Sequence, residues 1–227
     1  MEIASNNLLP AEMREWMRQY INDACIWRSP DRKEVLSGKI SGTTYTWQFY
    51  IRRALNNAKF CKYLGILFWE EFAPIYKYRQ FQIAGLEWGS TPILSAITST
   101  SALYGIKCNA ISIRAEVKPY GLKNRFEGII DYNLPVLLVD DLCNSKNTLV
   151  RAKEFCAKEG LHFYDVGFAI INKDLFGDHE SHDKYIGEHY SLKTIFTLKD
   201  FDFILKTYLA KHGSSRMVPF VREHGSK

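Results

Sequence analysis

Adjacent carboxylates at Asp140 and Asp141, followed by Cys143-Asn144-Ser145-Lys146-Asn147-Thr148, are the residues of this chain best suited to chemistry. Carboxylates accept hydrogen bonds from hydroxyls and hold hard cations through oxygen. Small and hydroxyl-bearing residues allow backbone amides and side-chain OH groups to surround an anion. Acids alone repel phosphate. An acidic pair beside an anion cradle therefore makes sense for a ligand that brings sugar hydroxyls, or a Mg²⁺ ion, together with its phosphate. A phosphorylated sugar is the implied ligand. A buried strand, loop and helix whose acids cap the helix would read the same from this run alone.

The elements that must position these groups are legible on either side. Val136-Leu137-Leu138-Val139 is too short for a helix that stands alone and suits a strand covered on both faces, as in a parallel sheet. Leu149, Ala152, Phe155 and Cys156 then recur at helical spacing up to Gly160, which predicts a helix that stops there. The acids would thus stand at the carboxyl edge of a sheet, where ligands of open α/β folds bind. Gly85-Leu86-Glu87-Trp88-Gly89-Ser90-Thr91-Pro92 follows a second apolar strand, residues 81–85, and precedes a helix predicted over 93–104. Its glycines let amides approach an anion, and Gly89 and Ser90 are the candidate contacts. Between residues 114 and 125, Arg114, Lys118, Lys123 and Arg125 stand against the single acid Glu116 in a segment without periodicity. Such a loop could close over a bound anion and supply charge where negative charge develops. It could equally be a solvated basic loop.

The remaining expectations concern the frame. A length of 227 residues suits one α/β domain with an added subdomain, and the net charge of +5 is spread along the chain without a long basic block. Helices are predicted over 11–27, 51–68 and 201–211, and strands over 43–50, 110–114, 166–172 and 192–198, with 174–188 as loop. The alternation implies right-handed crossovers and a largely parallel sheet. Five cysteines without a CxxC pair predict reduced thiols and a cytoplasmic protein, with Cys143 a packing residue or a reactive thiol beside the site. Residues 1–10 lack a basic, then apolar, leader pattern, and no stretch is apolar enough to span a membrane. His179 and His182, flanked by acids, could ligate a metal but sit in an expected surface loop.

Taken together these motifs resemble a known family. Apolar strand, Asp140-Asp141 and the hydroxyl-bearing loop resemble the phosphoribosyl pyrophosphate (PRPP) signature of type I phosphoribosyltransferases. Arg114-x-Glu116-x-Lys118-x-x-Gly121 ahead of that signature looks like the catalytic loop of orotate phosphoribosyltransferases. Leu36-Ser37-Gly38-Lys39-Ile40-Ser41 with the aromatic strand after it looks like their N-terminal hood. The likeness runs from about residue 12 to residue 210.

The resemblance implies an α/β fold with a largely parallel central sheet flanked by helices. An N-terminal α+β hood would occupy 1–80, a core 81–212 and a tail 213–227. It implies transfer of ribose 5-phosphate from PRPP to a nucleobase-like acceptor, with Mg²⁺ and release of pyrophosphate. Asp140 and Asp141 would hold ribose hydroxyls, directly or through metal and water. Asn144, Ser145, Lys146, Asn147 and Thr148 would wrap the 5-phosphate, Gly89 and Ser90 would line the pyrophosphate, and Arg114 and Lys118 would meet it, in a homodimer whose basic loop reaches the neighbour's site. Lys173 would face the acceptor.

Departures from the pattern bear on activity. Ala115 stands where the family has a second loop lysine, Tyr120 where it has a histidine, Gly89-Ser90 where it has a basic residue and a glycine, and Lys146 where it has a glycine. Lys146 does not adopt positive φ cheaply, so Asn147 could take that conformation instead. Leu36 replaces a hood lysine and Lys173 an arginine, which should weaken recognition of an acidic pyrimidine. Three functions are compatible with this pattern: a divergent transferase, a PRPP or nucleotide sensor with reduced chemistry, and an effector of a bacterial anti-phage defence system acting with a protein or nucleic-acid partner.

Overall fold

The computed structural model describes residues 9–31, 33–36, 44–116, 124–144, 146–173 and 190–212. Helix α1 (Pro10–Ala24) buries Met13, Met17 and Ile21 at the spacing read from the sequence. It ends before Trp27 because that residue joins a strand. Four short strands follow, β1 (Ile26–Arg28), β2 (Val35–Leu36), β3 (Thr44–Tyr45) and β4 (Trp47–Phe49), paired antiparallel as β1 with β4 and β2 with β3. The single strand expected over 43–50 is divided at Thr46, whose carbonyl accepts from the Ser29 amide at 2.8 Å.

The helix expected over 51–68 is two helices, α2 (Ile51–Ala54) and α3 (Ala58–Tyr76). Asn57 causes the break: its backbone is extended and its side chain accepts from the Phe60 amide at 3.0 Å, an N-cap that starts α3 afresh. β5 (Gln82–Leu86) comes next, buried along its whole length. Then α4 (Thr91–Ser101) packs across α3, with Pro92 inside its first turn. The two helices touch at Gly65, where a β-carbon would fall onto Thr100 and the Ala96 carbonyl.

The remaining strands are β6 (Ala110–Ile113), β7 (Phe126–Glu127), β8 (Val136–Cys143), β9 (Val166–Asn172) and β10 (Ser191–Thr197), with α5 (Asn147–Lys158) between β8 and β9 and α6 (Asp202–His212) last. They complete a six-stranded sheet of order β10-β9-β8-β5-β6-β7. All pairings are parallel except β6 with β7. The largely parallel sheet expected from alternating elements is therefore present, with an antiparallel edge that two residues of sequence could not announce.

Alternation along β8 divides the core. Leu137 and Val139 join the cluster beneath α3 and α4, where Phe68 stacks on Phe72 at 4.5 Å and meets Phe168 edge-on at 5.1 Å. Val136 and Leu138 join the cluster beneath α5 with Leu149, Ala152 and Cys156. The first cluster runs from Met13 in α1 to Ile204 in α6, so N-terminal and C-terminal segments share one interior. The expected loop over 174–188, its two histidines and residues 213–227 lie outside the described residues.

Candidate active site at the carboxyl rim of the sheet

β8 does not stop at the acids; its pairing with β9 continues to Cys143 opposite Asn172. Asp140 follows the face of Val136 and Leu138 and points beneath α5. It is 5 % exposed, accepts from the Asp141 amide at 2.9 Å and hydrogen-bonds the Thr148 side chain from the first turn of α5. Burial raises its pKa well above the ordinary carboxylate range, and the adjacent Asp141 charge adds to that. Asp141 is half-buried, its carboxyl lying against Gly89 and still within hydrogen-bond reach of that of Asp140. A β-carbon at position 89 would stand 2.8 Å from Asp141 Oδ1, so any other residue there would have to push this carboxylate aside.

The two loops read separately in the sequence thus meet at the rim. The one after β5 is fixed from within: the Ser90 hydroxyl donates to Leu86 O at 2.7 Å, the Glu87 amide to Ile113 O at 2.9 Å, and Thr91 Oγ1 lies 3.1 Å from Ser112 Oγ. Ser90 is fully buried, so its side chain closes the turn. The Glu87–Trp88 peptide is cis, and Trp88 is 79 % exposed.

On the other side, Asn144, Lys146, Asn147 and Thr148 gather at the start of α5, each partly exposed; Ser145 lies outside the described residues. The left-handed conformation falls on Lys146, at φ 55° and ψ 3°, and not on Asn147, which is already helical. This corrects the expectation that Asn147 would absorb it. The turn between strand and helix places the reversal at the N-cap itself, and Lys146 occupies that position at a cost of about 1 kcal/mol.

Arg114, at the end of β6, is tied down by acids. Its Nε donates to Glu127 Oε1 at 3.0 Å, its Nη2 bonds the same oxygen, and its Nη1 lies 3.5 Å from Glu87 Oε1. Arg125 donates to the carbonyls of Arg114 and Ala115 at 2.9 and 3.1 Å, and its guanidinium sits 4.0 Å from the centre of the Phe155 ring. The basic segment therefore connects the two strands of the β6–β7 hairpin, with Arg114 and Arg125 engaged where it leaves one strand and enters the other. Lys118 and Tyr120 lie outside the described residues.

Lys173 follows β9, and its amide donates to Cys143 O at 2.7 Å. Its side chain is 8 % exposed, with the ammonium 5.4 Å from the Trp47 ring centre and 5.8 Å from that of Tyr45. Desolvation brings its pKa down to about 8. Tyr45 and Trp47 were not singled out from the sequence, although their i, i+2 spacing in an aromatic strand placed them on one face. Neither was Tyr190, whose buried hydroxyl has no hydrogen-bond partner among the described residues and is pushed up in pKa by burial, then by Cys143 and Asp140. None of the five cysteines is in a disulfide, and Cys143 is packed beneath α5 at 1 % exposure.

No group of three metal-ligating side chains stands together among the described residues. One half-buried and one buried carboxylate do not make a cage, but they fit a Mg²⁺ that arrives on phosphate oxygens and keeps its waters. No described helix is long and apolar enough to cross a membrane.

No protein-family model matches the chain. Among curated proteins it is similar to the orotate phosphoribosyltransferase of Methanocaldococcus jannaschii, 26 % identical over 161 residues, which is 70 % of this chain and 83 % of that one. It is also 26 % identical over 170 residues to that of Corynebacterium glutamicum, covering 74 % and 83 %. Among solved structures it superposes on a phosphoribosyltransferase from Corynebacterium diphtheriae with a TM-score of 0.66 at 17 % identity, covering 84 % of this chain and 98 % of that one. The Mycobacterium tuberculosis orotate phosphoribosyltransferase in complex with PRPP gives 0.57 at 18 % identity, covering 84 % and 90 %. The sheet and its helices have the type I phosphoribosyltransferase fold.

Proposed function

Starting from a chain that is a divergent relative of the orotate phosphoribosyltransferases, we propose that it transfers ribose 5-phosphate from PRPP to a nucleobase-like acceptor and releases pyrophosphate. The observation that carries the reading is the meeting of Asp140, Asp141, Gly89 and the first turn of α5 at the rim of β8. The helix start and its side chains at Asn144 to Thr148 hold the 5-phosphate. Asp141, and Asp140 behind it, accept hydrogen bonds from the ribose hydroxyls. Mg²⁺, bound on the pyrophosphate, neutralises charge on the leaving group. Arg114 and Lys118 meet that group from the hairpin. The N-terminal ribbons act as a hood over the acceptor, which Lys173 faces between Tyr45 and Trp47. A homodimer, in which the hairpin reaches the neighbouring site, and a cytoplasmic location complete the proposal.

Incubation of the protein with labelled PRPP, Mg²⁺ and a panel of bases tests it. Pyrophosphate release that depends on one acceptor is expected, and the Asp140→Asn, Asp141→Asn double variant should lose it while retaining its circular-dichroism spectrum. Turnover by the folded double variant would sink the assignment. The engagement of Arg114 by Glu127 and Glu87, with no side chain at Gly89, favours a second reading, a PRPP sensor. Calorimetry separates the two: saturable PRPP binding without pyrophosphate release under any acceptor supports the sensor.

A further inference from the structure

We propose that Glu127 and Glu87 compete with pyrophosphate for Arg114, and so determine how tightly the site holds that leaving group. The inference rests on the phosphoribosyl-transfer reading. Arg114 stands directly after β6, beside the loop that follows β5, and its side chain is 19 % exposed. All three guanidinium nitrogens face acids: Nε and Nη2 share Glu127 Oε1, and Nη1 approaches Glu87 Oε1. Glu87 belongs to the loop that carries Gly89, so the guanidinium links the hairpin to the very loop that would line the same ligand.

A guanidinium presents its N–H groups in one fixed plane, and carboxylate and phosphate oxygens seek the same fork. Pyrophosphate can take the Nε–Nη2 fork only by displacing Glu127. Glu127 is the partner to yield, because its side chain is 55 % exposed and an exposed ion pair is weak, whereas Glu87 is 22 % exposed. Two features make Arg114 carry more weight here than one cation ordinarily would. Position 89 offers no side-chain charge, since Asp141 fills the space where a β-carbon would go. Arg125 already serves the Arg114 and Ala115 carbonyls and the Phe155 ring.

Isothermal titration of inorganic pyrophosphate with Mg²⁺ into the full chain tests the competition. Glu127→Gln is expected to tighten binding by roughly two- to fivefold, the range that loss of one exposed ion pair allows. Glu127→Asp, which withdraws the charge by one methylene, should fall between it and the parent. Arg114→Met should weaken binding and erase the gain in the Glu127→Gln, Arg114→Met double variant. Melting curves establish that each variant is folded. Glu127→Gln at parental affinity or weaker overturns the inference, and so does a gain that survives in the Arg114→Met background, which would mark a general effect of charge. Either result leaves phosphoribosyl transfer standing. If the parent protein binds neither pyrophosphate nor PRPP, the reading of the site falls and the inference with it.

Discussion

Asp140 holds its proton more firmly in the folded protein than in the unfolded chain, because burial and then Asp141 both disfavour the ionised form. Its folded pKa is raised, so the unfolded chain loses the proton first as pH climbs above 3.8. Stability therefore falls with rising pH until the folded group ionises too, and stays lowered above that point. Asp140→Asn keeps an oxygen for the Asp141 amide and for Thr148 while removing the charge. It is expected to raise the melting temperature at pH 7 by a few degrees and to abolish PRPP turnover. A lower melting temperature would mean that the carboxylate holds the rim together.

Lys173 has the opposite sign. Its folded pKa of about 8 lies below the ordinary 10.5, so between those values the unfolded chain binds more protons and stability rises with pH. Below about pH 8 the penalty for burying the ammonium is fully present. Urea denaturation at pH 7 and pH 9.5 should show the increase in the parent protein and its loss in Lys173→Met, which should be the more stable of the two at pH 7. An undiminished increase in the variant would assign the pH dependence to another group.

Among the elements, α3 and α4 are held closest together at Gly65. Gly65→Val would drive a branched side chain into Thr100 and the Ala96 carbonyl and is expected to cost more than about 2 kcal/mol, read from the denaturant midpoint. An unchanged midpoint would mean that the helices can separate freely. The strands and helices that bear Asp140, Asp141 and the Gly89 loop were legible because each combines an apolar run with a turn signal. β9 was legible end to end. The β6–β7 hairpin was not, since Phe126 and Glu127 are too few to show a period, and neither was the pairing of Arg114 with acids 27 residues behind and 13 ahead, which only folding brings together. The split between α2 and α3 could have been found at Asn57, a capping residue type ahead of a long apolar helix.

At the scale of the whole molecule, one interior joins α1 to α6, and Arg14 in the first helix donates to the Ile195 carbonyl of the last strand. Ligand binding at the rim should therefore be felt as global stability. PRPP with Mg²⁺ at a hundred times its Kd is expected to add about 2.7 kcal/mol, visible as a rise in melting temperature that grows with ligand concentration. No rise at any concentration would argue against a PRPP site. The largely parallel sheet flanked by helices was accessible from sequence because alternating elements restrict the architecture so strongly, whereas the strand order was not. The meeting of Gly89 with Asp141 was not, because contact across neighbouring strands leaves no trace along the chain.

Trp88 gives this site its own reporter. Trp47 and Trp69 are sealed in the interior and Trp16 and Trp27 are half-buried on α1 and β1, while Trp88 stands in water one residue from Gly89. Whatever settles against that loop must change the solvent around its indole. Occupancy should thus be followed without labels as a shift in intrinsic emission, on the timescale of rapid mixing.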